Sequence, residues 1–329
     1  MPIPCRPILS RLCRVALLLT LAMTVHAGEQ LPAEGHELLH DVRRIVFLGD
    51  SITQKGDYVA DIECWLLSRS VEVEVLNLGL GSETATDLTP EENKGHVEKF
   101  GFGRPFVSER LGRVLSETKP DLLFVCYGMN DGVPTPRYAE AVTRLREEAL
   151  KSGVKRVVIC TPPVHDNKKD AASDLADKNL ARYTEWLLGK RNDGWLVVDI
   201  HTPMRATLTA ARSSNPNFLF AEDGVHPSRE GHWLMAREIL RQAFGEKALD
   251  LYCSEQIFPF LGAEIRDLVR QRQALLFNAW MSKIGHTRPN VAGGPQAPRG
   301  PSLAEAVAKA KPITEQISQK LTLVAPRNP

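Results

Sequence analysis

Three residues able to open an ester stand in this chain: Ser51, and far downstream Asp223 and His226, which share one short loop. A serine hydroxyl is a poor nucleophile near neutral pH. It needs a base within hydrogen-bond reach and a third group that holds the base in the right tautomer. Asp223-Gly-Val-His226-Pro227 offers an imidazole and a carboxylate together, with Pro227 stiffening the turn before a helix seeded by Ser228 and Glu230. Ser51 closes the apolar run from Arg44 through Gly49 and Asp50, so a strand end delivers its hydroxyl where a helix is about to begin. Attack on an ester carbonyl builds negative charge on oxygen, which fixed donors must meet. The candidates are the Ser51 N–H, the Asn130 amide in Gly128-Met-Asn130-Asp131, and a backbone N–H in Asn77-Leu-Gly79-Leu-Gly81-Ser82.

The elements that must position these groups follow from the apolar pattern. Short runs rich in Val, Ile and Leu recur at 44–49, 71–79, 121–127, 155–161 and 195–200, as in strands of a parallel sheet covered on both faces. Helical spacing appears at 58–68, 136–151, 171–190, 204–212 and 229–244. Strand alternating with helix implies a doubly wound α/β sandwich, whose ligands sit beyond the carboxyl ends of the strands. Ser51, Asn130 and the loop after Gly79 all fall there. Residues 89–105 read as a long polar, Gly-containing connection beside the site, a candidate for substrate contact.

The four blocks, taken in order, resemble the SGNH or GDSL hydrolase superfamily over about residues 44 to 244. The resemblance implies a three-layer α/β/α sandwich with a mostly parallel, flavodoxin-like five-stranded sheet. It implies His226 as base, Asp223 as its orienter and Asn130 as an oxyanion donor. The family's second block usually reads Asn-x-Gly-x-Ser-Gly-x-Thr, and alignment from Asn77 puts Ser82 where its later Gly stands. A backbone donor survives that substitution if the local dihedrals admit a Cβ, so the oxyanion donors are expected to be Ser51 N–H, Ser82 N–H and Asn130. Gly81 is the alternative to Ser82 if the loop is shifted by one residue, and Gly79 suits a tight turn. The Gly-x-Ser-x-Gly elbow of α/β-hydrolases is absent.

Other residues bound the function. Arg6, Arg11 and Arg14, the apolar stretch from Val15 to Val25, and Val25-His26-Ala27 read as a secretory leader, residues 1–27, cleaved after Ala27. The expected location is periplasmic or extracellular, with no integral membrane segment after cleavage. Losing the three leader arginines takes the formal charge from +1 to about −2, which argues against nucleic acid as a partner. Cys64, Cys126, Cys160 and Cys253 read as buried thiols, one disulfide remaining open. No His, Asp and Glu cluster has metal spacing and serine chemistry needs none, so neither metal nor other cofactor is expected. Asp131 reads as an anchor for the Asn130 loop, Asp199 and His201 as strand-end residues, and His165 as a possible substrate contact.

The chain divides into a lead-in at 28–43, a hydrolase domain at 44–245, a helical extension at 246–287, and a Pro/Gly-rich linker and tail at 288–329, where Ser302 to Glu305 spell a capping box. In the extension Ile265, Leu268, Val269, Leu276, Ala279 and Trp280 recur at helical spacing. The function expected is an exported serine esterase acting through an acyl-enzyme on a small-molecule or glycan ester, in particular a carbohydrate O-acetylesterase. The alternatives are a lipase or lysophospholipase, and a glycan-binding protein on the same scaffold. The sequence says nothing of oligomeric state.

Overall fold

The computed structural model describes residues 33–166, 171–246, 251–258 and 260–324. The leader and its cleavage site lie outside the described residues. A short helix α1 (Ala33–Leu39) leads into β1 (Arg44–Gly49), then α2 (Ser51–Lys55), α3 (Asp57–Ser68), β2 (Glu74–Asn77), α4 (Pro90–Phe100), α5 (Leu111–Thr118) and β3 (Leu122–Cys126). Then come α6 (Thr135–Lys151), β4 (Arg156–Cys160), α7 (Ala171–Gly189), β5 (Leu196–Val198), α8 (His201–Ser214) and α9 (Arg229–Ala243). The extension supplies α10 (Gly262–Ile284), and the tail forms α11 (Leu303–Val324).

All neighbouring strands pair in parallel, in the order β2-β1-β3-β4-β5, which is the flavodoxin-like order. The strands read as continuous apolar runs because both faces are covered. Along β1, Ile45 and Phe47 enter one core with α3, α8 and α9, while Val46 and Leu48 enter the other with α5, α6 and α7. β3 divides likewise, Leu122, Phe124 and Cys126 to the first and Leu123 and Val125 to the second. Each such side chain contributes roughly 1.5–3 kcal/mol on burial. The four described cysteines are buried thiols. None of the helices among the described residues is long and apolar enough to cross a membrane.

The connection at 89–105 is not irregular. Thr89 accepts from the Glu92 N–H at 3.3 Å while the Glu92 carboxylate takes the Thr89 N–H at 2.8 Å, and Pro90 opens α4 inside this capping box. Its polar composition hid a helix whose starting signal was present. β2 is shorter than the apolar run suggested, in keeping with its place at the sheet edge.

α10 touches α3 on one face of the sheet, α5 on the other and β2 between them, so it covers that edge. Its apolar residues divide: Ile265, Leu268 and Val269 join Ala60, Cys64 and Ile317 in a third core, while Trp280, Met281 and Ile284 extend the second. Buried ion pairs also join it to α3. Arg266 donates to Asp61 and Asp57 at 2.7 Å each, and Arg272 and Gln273 both reach Glu63. The capping box at Ser302 and Glu305 forms, and the helix it opens runs 22 residues along α10.

Candidate active site

β1 ends in Gly49-Asp50, and Asp50 caps α2 by accepting the Ile52 N–H at 2.9 Å, which sets Ser51 at the first helical position. A Cβ on Gly49 would stand 2.1 Å from Thr53 Oγ1 and 2.7 Å from the Cys126 carbonyl, so only glycine lets this turn close against β3. Ser51 Oγ lies 2.7 Å from His226 Nε2. On the far side of the ring, Nδ1 lies 2.6 Å from Asp223 Oδ2. The other Asp223 oxygen accepts the backbone N–H groups of Val225 and His226 at 2.9 and 2.8 Å. Partial burial pulls the Asp223 pKa upward, but these bonds, led by that from the His226 ring, outweigh it and hold the carboxyl at about 2. An ionised Asp223 can only accept, so Nδ1 carries the imidazole proton and the Nε2 lone pair faces the serine hydroxyl.

The loop bearing these residues is braced from behind. Asp166, wholly buried, accepts the N–H groups of Phe220 and Ala221 and pairs with Arg212, while its own N–H donates to the Gly224 carbonyl at 2.8 Å. Lys55, at the end of α2, donates to the Pro227 carbonyl at 2.9 Å and so ties the serine helix to the histidine loop. His165 packs against Gly224, where a Cβ would meet its ring at 3.1 Å.

After β2, Asn77 turns its amide to the Thr53 carbonyl at 2.7 Å and takes the Gly79 N–H at 3.0 Å. Gly79 serves close approach and not the tight turn expected of it: a Cβ there would stand 2.3 Å from the Gln54 nitrogen, and its φ is not positive. The Gly81 N–H is taken by Gln54 Oε1 at 2.6 Å. Ser82 has φ 66°, the left-handed conformation that favours glycine, and its N–H meets no acceptor among the described residues.

Asn130 follows β3. Its amide donates to the Glu83 carbonyl at 3.1 Å, which leaves a second N–H, and its Oδ1 accepts from Arg104 at 2.7 Å. Arg104 is held in turn by Asn93 of α4, whose Oδ1 takes its backbone N–H at 2.8 Å. Glu83 forms a buried pair with Arg110 and receives the Tyr127 hydroxyl. Asp131 is buried and takes the Thr86 N–H at 2.8 Å, which ties the Asn130 loop to the segment after Ser82. Asp199 accepts the Thr202 N–H at 3.0 Å at the start of α8, and His201 is buried beneath Pro162.

The structure thus gathers Ser51, His226 and Asp223 into one hydrogen-bonded line, with Ser82 and Asn130 on loops joined through Glu83. Sequence reasoning missed Glu83, Arg104, Arg110, Asp166 and Lys55. Each acts across a long stretch of chain, and only the Thr89 capping box that builds α4 pointed even indirectly to one of them, Arg104. Among the described residues no group of His, Cys, Asp and Glu could hold a metal. A cavity of about 610 Å³ at the β5 edge, lined by Leu38, Trp195 and Val197 among others, shares no residue with this site.

The family model of the GDSL-like lipase/acylhydrolase family matches residues 47–234. No curated protein matches the chain. Solved structures similar to it include a gut microbial diltiazem-metabolizing enzyme, 23% identical with a TM-score of 0.46 over 61% of this chain and 47% of that one. The chain therefore spans about half the length of that enzyme. A catalytic mutant of Axe2, an acetylxylan esterase from Geobacillus stearothermophilus, is 19% identical with a TM-score of 0.48 over 64% of this chain and 96% of its own. Unmutated Axe2 is 20% identical with a TM-score of 0.41 over the same shares.

Proposed function

Since the chain belongs to the GDSL-like lipase/acylhydrolase family, we propose that it is an exported serine esterase that cleaves carboxylic esters through an acyl-enzyme at Ser51. The observation that carries this reading is the unbroken line from Ser51 Oγ to His226 at 2.7 Å and from His226 to Asp223 at 2.6 Å. His226 Nε2 takes the hydroxyl proton as Oγ attacks the carbonyl carbon, and Asp223 stabilises the imidazolium that forms. The tetrahedral oxyanion is met by the Ser51 N–H, the Ser82 N–H and the second N–H of Asn130. Ser82 takes this role in preference to Gly81, whose N–H is already spent on Gln54.

Collapse of that intermediate expels the alcohol, which leaves with the proton from His226. Water, deprotonated by the same nitrogen, then frees the acid and restores the serine. A glycan O-acetyl ester is the favoured substrate, because the described segments around the site are largely polar. Export rests on the basic and apolar N-terminal sequence.

The test is initial rates on 4-nitrophenyl acetate and octanoate for the mature protein beside Ser51→Ala. We expect the variant to lose at least about 10³-fold in kcat/KM, with acetate preferred. Equal, negligible rates in both proteins, on these esters and on acetylated polysaccharide, would overturn the reading.

A further inference from the structure

Two guanidinium groups border the site without a carboxylate in ion-pair reach of either among the described residues. Arg104 approaches from the side of Asn130, with Nη1 2.7 Å from its Oδ1. Arg288 approaches from the opposite end of the chain, in the loop between α10 and α11. Its Nε donates to the Gly81 carbonyl at 3.2 Å and its Nη1 to the Pro289 carbonyl at 2.7 Å. A Cβ built on Gly81 would have Arg288 Nε at 3.8 Å and Ser51 Cβ at 3.9 Å, so the guanidinium and the serine flank one glycine. The Arg288 guanidinium lies over the Phe102 ring, 4.1 Å from its centroid.

The other groups facing the pair do not cancel this charge. His96, packed on Phe102, is held neutral, its pKa lowered to about 4 by burial and by the positive charge of Arg104, Arg288 and Lys99. Glu109, whose carboxylate accepts the Thr287 hydroxyl at 2.6 Å, keeps its charge but makes no ion pair with either arginine. Asp50 and Asp131 act on Arg104 from within the protein, but neither is within ion-pair distance of it. Both arginines are half-buried, and burial lowers the pKa of each. A half-buried cation with no carboxylate in ion-pair reach among the described residues, beside Ser51, is completed by an anion that arrives with the substrate.

We propose that Arg288 and Arg104 form an anion subsite that selects esters carrying a carboxylate close to the scissile bond, as in an acylated uronic-acid glycan or a dicarboxylic half-ester. The inference rests on the esterase reading for its substrate, and on the residues alone for its anion site. It gives the segment that links α10 to α11 a direct part in specificity. A role limited to bracing the Gly81 carbonyl would affect neutral and anionic esters alike, so the ratio between them separates the two.

The experiment compares kcat/KM for mono-4-nitrophenyl succinate over 4-nitrophenyl butyrate, which puts the charge on the acyl side. It also compares acetylated polygalacturonate over acetylated xylan, which puts it on the alcohol side. In Arg288→Gln at least one ratio is expected to fall tenfold or more, and in Phe102→Leu, which keeps the charge but removes the ring beneath it, to fall by less. Direct titration of succinate and of galacturonate oligomers into Ser51→Ala protein, with and without Arg288→Gln, reads the site without turnover. Turnover with both ratios changed less than twofold and no Arg288-dependent binding would overturn the subsite and leave the esterase standing. Arg288-dependent binding with no ester cleaved would do the reverse. Absence of both would overturn both.

Discussion

Glu83, immediately after Ser82, and Arg110 meet as a two-pronged ion pair, Nε to Oε1 and Nη2 to Oε2 at 2.6 Å each, with both side chains buried. Arg110 also caps the Leu78 carbonyl at 2.8 Å, so one side chain fixes both ends of the Leu78–Glu83 loop. Removing one partner of a buried pair strands the other charge, at a cost of about 3–5 kcal/mol. We expect Glu83→Gln and Arg110→Met each to lower the unfolding free energy by about this much in urea titrations. The double variant should lose clearly less than the sum of the two. Small, additive losses would mean that the pair does not hold this loop.

Asn130 and Ser82 should respond differently to truncation. Asn130→Ala removes the proposed side-chain oxyanion donor and is expected to lower kcat by about 10²–10³-fold with little change in KM. Ser82→Ala and Ser82→Gly keep the backbone N–H, and kcat should stay within a few-fold of the wild type. Ser82→Gly also relieves a left-handed conformation that costs a residue with a Cβ roughly 1–2 kcal/mol, offset in part by the freedom glycine adds to the unfolded chain. A large loss in either Ser82 variant would shift the role from the backbone to the hydroxyl.

Asp50 makes stability depend on pH. Burial, and to a lesser degree the nearby Asp131 carboxylate, push its pKa up to about 7, against the pull of the Ile52 N–H, His226 and Arg104. Between the unfolded value of 3.8 and about 7 the native state therefore binds the extra proton. The stabilisation is complete below that window and is lost as the pH rises through it. Asp50→Asn keeps the cap and cannot ionise, so its Tm should fall less than the wild-type Tm between pH 5 and pH 8. Parallel curves would rule Asp50 out as the source. Asp223 acts in the opposite sense, its contribution present above pH 3.8 and lost as the pH falls towards 2, and solvent screening at its exposed position keeps that effect small.

Asp166 tests whether the histidine loop needs its brace. Asp166→Asn forfeits the charge-assisted bond to Arg212 and weakens those from Phe220 and Ala221, each charged hydrogen bond being worth about 1.5–3 kcal/mol. Because small misplacement of catalytic groups costs up to about 10²-fold in rate, we expect kcat to fall at least about tenfold while KM holds. Wild-type kcat in a folded Asp166→Asn protein would falsify this bracing role.

Much of this molecule was legible in the sequence where information is local. β1, β3 and β4 announce themselves because both faces are buried and every position after the leading arginines of β1 and β4 is uncharged and apolar. The turn from Asp223 to His226 is legible because its three-residue spacing is the geometry. α4 was missed because its exposed faces carry Glu and Lys, so that its starting signal rests on the Thr89 capping box alone. Glu83, Arg104 and Asp166 were invisible for another reason. A charged residue is read as solvated unless its partner is known, and Arg110, Asn130 and Phe220 lie tens of residues away.

The packing of α10 along β2 also orders events during synthesis. β2 emerges from the ribosome early and pairs with β1 on one side only, while the helix that shields its other side arrives only after His226 has been made. For most of translation the growing chain therefore exposes an unpaired strand edge of the kind that recruits foreign strands. Yield from a cell should consequently depend on how quickly the last segment docks, even where the finished protein is stable.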